Sequence, residues 1–99
     1  MAEWIYFIHP PREDFAATMT AEEQAVWSIH FERFERELAA GRLILVGPTL
    51  GTVNTGIAIF AAAEDAAARR FKDEDPVIAG GFATGELRPF RVSLLRGRD

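Results

Sequence analysis

Residues 20–41, TAEEQAVWSIHFERFERELAAG, are the stretch on which the predicted fold depends. Thr20 is a favourable N-cap residue, and Glu23, three positions later, completes the pattern of a capping box. Gly41 suits the other end, where the chain often needs a positive φ. Large apolar side chains recur between these ends at helical spacing, namely Trp27, Phe31, Phe34 and Leu38. The sequence therefore predicts one long helix from Thr20 to Ala40 with a single apolar face.

The predicted helix contains one histidine, His30, at the inner edge of its apolar face. One interpretation is a core histidine whose ring nitrogens bond to backbone carbonyls or to water. The other is an imidazole placed in a pocket for acid–base chemistry, which needs a partner that orients the ring. The helix alone leaves both interpretations open.

The rest of the sequence predicts four strands and a second helix. Short runs rich in aromatic and β-branched residues, bounded by glycine or proline, are typical of strands. They run from Glu3 to His9, Arg42 to Val46, Gly56 to Ala61 and Leu87 to Leu95. The second helix is predicted from Ala63 to Lys72, because acidic residues begin it and basic residues end it. The stretch from Pro10 to Met19 is predicted to be a loop, and Pro76 to Gly81 one more helical turn.

The order β-α-β-β-α-β predicts an α+β, ferredoxin-like fold with a four-stranded antiparallel sheet and two helices on one face. A strand with one face in water should alternate apolar and polar residues. The first strand does not, because Trp4, Tyr6 and Ile8 share one side while Ile5 and Phe7 share the other. We therefore expect a second subunit to cover the open face of the sheet, in a homodimer packed sheet to sheet. Further assembly of that dimer is left open.

Composition narrows the class of protein. The 99 residues are expected to form a single domain, and the net charge of −4 argues against nucleic acid as a partner, because phosphate binding needs a basic surface.

The lack of cysteine excludes disulfides and thiol chemistry, and it suits a cytoplasmic location. No run approaches the roughly 18 apolar residues of a membrane span, and we expect no signal peptide, because the first apolar run, Trp4 to Ile8, is short and follows no basic segment. Neither a metal-ligand spacing nor a nucleotide-binding motif is present, so we expect no metal and no cofactor.

Asp75 is the carboxylate best placed to meet His30, because the chain after the second helix runs back past the first. Asp75 precedes Pro76, so it is also a favourable N-cap, and one carboxylate can serve both purposes. Arg42 starts the second strand and is either a charge at the rim or an anchor for an anionic ligand. His9 ends the first strand and is interpreted as a solvated residue.

Several short motifs follow one another in a distinctive order: His30-x10-Gly41-Arg42-Leu43-x3-Gly47-Pro48, then Asp75-Pro76, then Phe90 in the last strand. In this order and spacing, over nearly its whole length, the chain resembles the YCII-related family. The resemblance implies a dimeric α+β barrel whose pocket contains a His–Asp pair, here His30 and Asp75. One branch of that family is associated with dehydrochlorination of hydroxylated aromatic compounds, and related barrels include muconolactone isomerases and small monooxygenases. The loop from Pro10 to Met19 departs from the shorter members and would form a lid over the pocket.

Together these features predict a small enzyme, a lyase or isomerase that needs no cofactor. Asp75 would orient the His30 imidazole and stabilise its charged form, while His30 moves a proton to or from a small aromatic or cyclic molecule. Trp27, Phe31 and Phe34 would supply apolar walls, and Arg42 would hold an anionic group. Two alternatives stay open. One is a dimer that binds a small apolar ligand without catalysis, and the other is a cofactor-free oxygenase of the related barrel type.

Overall fold

The structure, a computed structural model, describes residues 1–97 of the chain. Its strands are β1 (Ala2–His9), β2 (Leu43–Pro48), β3 (Gly56–Ala62) and β4 (Thr84–Phe90). Its helices are α1 (Phe15–Thr18), α2 (Ala21–Ala39), α3 (Asp65–Asp73) and α4 (Pro76–Ala79). The helices α1 and α4 are single turns, so α2 and α3 are the two long helices of the fold.

The four strands form one sheet in the order β2-β3-β1-β4, and each neighbouring pair is antiparallel. The long helices pack on one face of this sheet, which confirms the predicted α+β, ferredoxin-like arrangement. Within residues 1–97, no helix combines the length and the apolar character needed to cross a membrane.

Helix α2 begins where the sequence predicts, because the capping box forms. The Thr20 hydroxyl accepts the backbone N–H of Glu23 at 3.1 Å, and Glu23 Oε1 accepts the backbone N–H of Thr20 at 2.8 Å. After the other end of the helix, Gly41 has a φ of 82°, in the left-handed region that favours glycine. These local signals produce a helix of 19 residues with His30 at its middle.

The buried line along α2 differs from the predicted apolar face. Phe31 and Leu38 are 54% and 56% exposed, whereas His30 and Phe34 are only 5% and 1% exposed. His30 therefore lies in the middle of the buried line, and its predicted position at the inner edge is wrong. The prediction counted apolar side chains only. The buried line also contains Glu23, which the helix can bury because an arginine side chain pairs with it.

The core lies between the helices and one face of the sheet. Side chains alternate along β1, so Trp4, Tyr6 and Ile8 face the helices and are buried. They pack with the buried side chains of Phe34, Leu43, Ala58, Phe60, Ala68 and Val77. Ile5 and Phe7 lie on the opposite face of the sheet and are partly buried. The homodimer expected to cover that face stays a prediction.

The last strand is displaced from its predicted position. It spans Thr84–Phe90 rather than Leu87 to Leu95, because β4 pairs only along the length of β1, from His9 opposite Thr84 to Glu3 opposite Phe90. The apolar residues after position 90 have too little of β1 left to pair with, so their strand propensity is not realised. Pro89 lies near the end of β4 rather than near its beginning, and the edge position of this strand tolerates the missing N–H donor.

The other predicted bounds differ from the structure by one or two residues, as is usual at the ends of helices and strands. The helical turn predicted from Pro76 is confirmed as α4. The stretch predicted as a loop between β1 and α2 contains the short helix α1. This turn forms because Phe15 is buried against Trp27, with 4.6 Å between the ring centroids.

Candidate functional site

The polar centre of the protein is the buried pair formed by His30 and Asp75. His30 Nδ1 lies 2.7 Å from Asp75 Oδ1 and 2.8 Å from Asp75 Oδ2. The His30 side chain is 6% exposed, and the Asp75 side chain is 0% exposed. A carboxylate removed from water this completely is stable only where hydrogen-bond donors replace its hydration.

Three donors from three elements surround the Asp75 carboxylate. The backbone N–H of Val77, in α4, donates to Oδ1 at 3.1 Å, and the Tyr6 hydroxyl, from β1, donates to Oδ2 at 2.9 Å. The third donor is Nδ1–H of His30, from α2. Asp75 is therefore the N-cap of α4 and the hydrogen-bond partner of His30 at the same time.

These hydrogen bonds determine which nitrogen of His30 carries the proton. An ionised carboxylate only accepts hydrogen bonds, so the proton of the neutral imidazole is on Nδ1 and the lone pair is on Nε2. Among residues 1–97, no side chain or backbone group bonds to Nε2. Phe34 packs edge-to-face on the imidazole, with 4.6 Å between the ring centroids, and the Trp27 ring centroid lies 5.8 Å from that of the imidazole. The ring is therefore held from several sides, with one nitrogen left free.

A cavity of about 180 Å³ adjoins His30. Its walls are mainly apolar, and their largest side chains are Ile8, Phe15, Met19, Trp27, Phe31 and Val46. In the described part of the chain, no lysine, arginine, aspartate or glutamate lines it. Asn54 also lines it, but its amide already accepts from Ala16 N–H and donates to the carbonyls of Thr49 and Gly51. The imidazole of His30 is therefore the acid–base group that a molecule in the cavity would meet.

The three aromatic residues predicted as walls have different positions. Trp27 and Phe31 line the cavity. Phe34 lies in the core behind His30 and is not part of the lining, so it supports the imidazole ring instead of contacting a ligand. The structure thus brings Trp27, His30 and Asp75 together.

Arg42 lies apart from this cavity. It is exposed, its Nε donates to the Glu37 carboxylate, and it borders a separate depression that Arg33 also lines. His9 is at the end of β1, 3.5 Å from Glu86 Oε1, with 44% of its side chain exposed. Over residues 1–97, the structure contains no group of three histidine, aspartate or glutamate side chains placed to hold a metal ion.

Tyr6 belongs to the buried network, although it is not among the site residues predicted from the sequence. A signal in the sequence points to it, since alternate residues of the first strand face the core and a buried tyrosine hydroxyl usually has a hydrogen-bond partner. Burial raises the pKa of the Tyr6 hydroxyl far above its ordinary value, and the charge of Asp75 raises it further. Tyr6 therefore stays neutral and remains a donor to Asp75.

Comparisons with known proteins do not identify a family. No protein-family model matches the chain, and a search of curated proteins finds no significantly similar sequence. The resemblance to the YCII-related family, and the functions that it implies, therefore stay predictions.

We expect Tyr6 to ionise only when the protein unfolds at high pH. Because its pKa is raised in the folded state, the stability it contributes is complete below about pH 10, the pKa of an exposed tyrosine. That stability is lost as the pH rises further, because only the unfolded chain then releases the proton. Tyr6 is the one tyrosine of the chain, so tyrosinate absorbance reports this residue alone.

The absorbance of tyrosinate should therefore rise together with the loss of helical circular dichroism in an alkaline titration. The Tyr6→Phe variant, which lacks the chromophore, gives the baseline. Tyrosinate that forms near pH 10 while the helical signal is intact would contradict the buried contact with Asp75.

Proposed function

We propose that this protein is a small acid–base enzyme, a lyase or isomerase, that moves a proton on a neutral single-ring molecule bound beside His30. One observation carries the proposal. The imidazole of His30, whose Nδ1 is paired with a buried carboxylate, lines a mainly apolar cavity. This arrangement is the one that general acid–base catalysis by histidine requires.

The size and the charge of the cavity support a small neutral substrate. An apolar cavity of about 150 Å³ is enough for benzene, so the 180 Å³ beside His30 suits a molecule with one ring. The described lining contains neither lysine nor arginine, so no permanently charged side chain there would attract an anionic substrate. The anion-binding role predicted for Arg42 is therefore not part of this proposal.

The chemistry follows from the tautomer of His30. In the neutral ring, Nε2 has a lone pair and can take a proton from an acidic C–H or O–H of the bound molecule. Asp75 then stabilises the imidazolium, since an opposite charge in contact favours the charged form. In an isomerisation, Nε2 returns the proton to another atom of the same molecule. In an elimination, the electron pair of the broken C–H bond forms the double bond, and the leaving group departs with its own bonding pair. Such proton transfer contributes roughly 10²–10⁴-fold in rate.

A second candidate function is a protein that binds a small apolar ligand without converting it. One observation favours it, because three donors around a buried carboxylate are also what a purely structural network contains. A cofactor-free oxygenase is the third candidate, and its chemistry would consume oxygen. Activity and binding have to be measured separately to distinguish these candidates.

We predict that His30→Gln abolishes turnover, by about 10²-fold or more, while the fold and ligand binding are retained. The assay incubates the protein with single-ring phenols, cyclic enones and lactones, in air and under argon, and identifies products by mass spectrometry. His9→Gln, which changes the other histidine of the chain, is the matched control and should keep full activity.

Three results would contradict the proposal. Turnover that survives in His30→Gln would remove the acid–base role. Binding without any product in the parent protein would favour the ligand-binding protein. Activity that disappears under argon would favour the oxygenase.

We further propose that the open face of the sheet pairs with the same face of a second copy. The outer face has an apolar centre formed by Ile5, Phe7, Leu45, Ile57 and Ile59. Glu86 and Arg88, on the neighbouring strand β4, add charges of both signs. A two-fold interface places the same patch on both sides, so charges of both signs can pair across it.

We expect sedimentation equilibrium at micromolar concentration to give twice the mass of one chain. Phe7→Glu should shift the protein toward the monomer, because it places like charges at the centre of a two-fold interface. His9→Gln, at the exposed end of the same strand, serves as the control. A parent protein that sediments as a stable monomer at these concentrations would overturn the homodimer.

A further inference from the structure

We propose that residues 10–19, called here the cover segment, act as a size filter over the cavity: Phe15 limits the ligand to one ring, and Arg12 holds Phe15 in place. The inference rests on the proposed function, because it takes the cavity beside His30 as the binding site. It identifies the residues that determine which ligands fit the cavity. The acid–base pair does not determine this.

Phe15 forms a wall of the cavity from the cover segment. Phe15 is 3% exposed, and its ring packs on Trp27 with 4.6 Å between the ring centroids and 52° between the planes. Pro10, Ala16 and Met19 of the same segment also line the cavity. A ligand beside His30 would therefore lie against an aromatic side chain that belongs to a connection and not to a strand or a long helix.

The cover segment does not hold this shape by itself. The helix α1 has four residues, far fewer than an isolated helix needs to be stable in water. Asp14, directly before Phe15, has a φ of 53°, a left-handed conformation that is uncommon for residues other than glycine. Such a conformation persists only where the surrounding contacts impose it. The position of Phe15 therefore depends on contacts with the rest of the protein.

Arg12 supplies the first set of these contacts. Its guanidinium donates to both carboxylate oxygens of Glu23, at 2.7 and 2.8 Å. This bidentate geometry is among the stronger ways in which arginine binds a carboxylate. It also donates to the Thr18 hydroxyl at 3.1 Å and to the Thr18 carbonyl at 2.6 Å. The guanidinium carbon lies 5.2 Å from the centre of the Phe15 ring. One side chain thus joins both ends of the cover segment to the first turn of α2.

The connection between β2 and β3 supplies the second set. The backbone N–H of Asp14 donates to the Thr52 carbonyl at 2.8 Å, and the backbone N–H of Ala16 donates to Asn54 Oδ1 at 3.1 Å. The cover segment is therefore attached to α2 on one side and to the β2–β3 connection on the other. Phe15 is held between these two attachments, with the cavity beside it.

Removal of the Phe15 ring would add the space of one aromatic ring to a cavity that suits one ring. The probes that test this are phenol and 2-naphthol, which share a single hydroxyl and differ by one fused ring. An unobstructed apolar site would favour 2-naphthol, because it buries more apolar surface. A preference for phenol in the parent protein is therefore the result that a size limit predicts.

The experiment measures the dissociation constants of both probes by NMR titration of the folded protein. We expect the parent to prefer phenol, and Phe15→Ala to move the ratio of the two constants at least tenfold toward 2-naphthol. Arg12→Met should move the ratio in the same direction by a smaller factor, since the ring remains but loses its attachment. Leu50→Ala is the control, because Leu50 is 86% exposed on the β2–β3 connection, outside the cavity, and its removal should leave the ratio unchanged.

The outcomes separate the filter from the site on which it rests. If both probes bind and the ratio of their dissociation constants is the same in the parent, in Phe15→Ala and in Arg12→Met, the size filter is overturned. The proposed function then still stands. Binding of neither probe to the parent or to Phe15→Ala overturns the cavity as a binding site and the filter with it. If Phe15→Ala does not fold, Phe15→Leu decides the question by the same ratio.

Discussion

The buried carboxylate of Asp75 is the constraint on which the rest of the structure depends. It accepts hydrogen bonds from the Tyr6 hydroxyl, His30 Nδ1 and the Val77 backbone, and these donors come from β1, α2 and α4. Removal of one partner of a buried charge costs about 3–5 kcal/mol, against a total stability of about 5–15 kcal/mol for a small domain. The sheet, the long helix and the turn after α3 therefore have to meet at this carboxylate.

The same carboxylate connects the fold with the proposed chemistry. Because Asp75 accepts the hydrogen bond from Nδ1–H of His30, Nε2 is the ring nitrogen that has no hydrogen-bond partner among residues 1–97. The support of the imidazole comes from a strand and helices, with Phe34 and Tyr6 buried in the core. The opposite wall comes from a connection that two sets of hydrogen bonds hold in place. This arrangement suits an enzyme. Catalytic groups need precise positioning by strands and helices, whereas loops that line a site can vary and so determine which substrates fit.

The sequence predicts the parts of the molecule that local signals determine. The capping box and Gly41 give the bounds of α2, the order of apolar runs gives the β-α-β-β-α-β fold, and the Asp75-Pro76 pair gives the α4 turn. Several parts that depend on distant partners are missed. The position of β4 follows from pairing with β1, and the buried line of α2 passes through Glu23 because Arg12 neutralises it. The alternation of β1 places Tyr6 in the core, but Asp75 lies 69 positions away and no local pattern identifies it as the partner of Tyr6.

The most direct test of the account is the tautomer of the neutral His30 ring, read from the ¹⁵N chemical shifts of its two nitrogens. The His9→Gln variant leaves His30 as the only imidazole and so assigns the signals. The account predicts a protonated Nδ1 and an unprotonated Nε2 that shifts further when phenol is added. A ring protonated on Nε2 would contradict it, because the free nitrogen would then point to Asp75 and the cavity would lack a base.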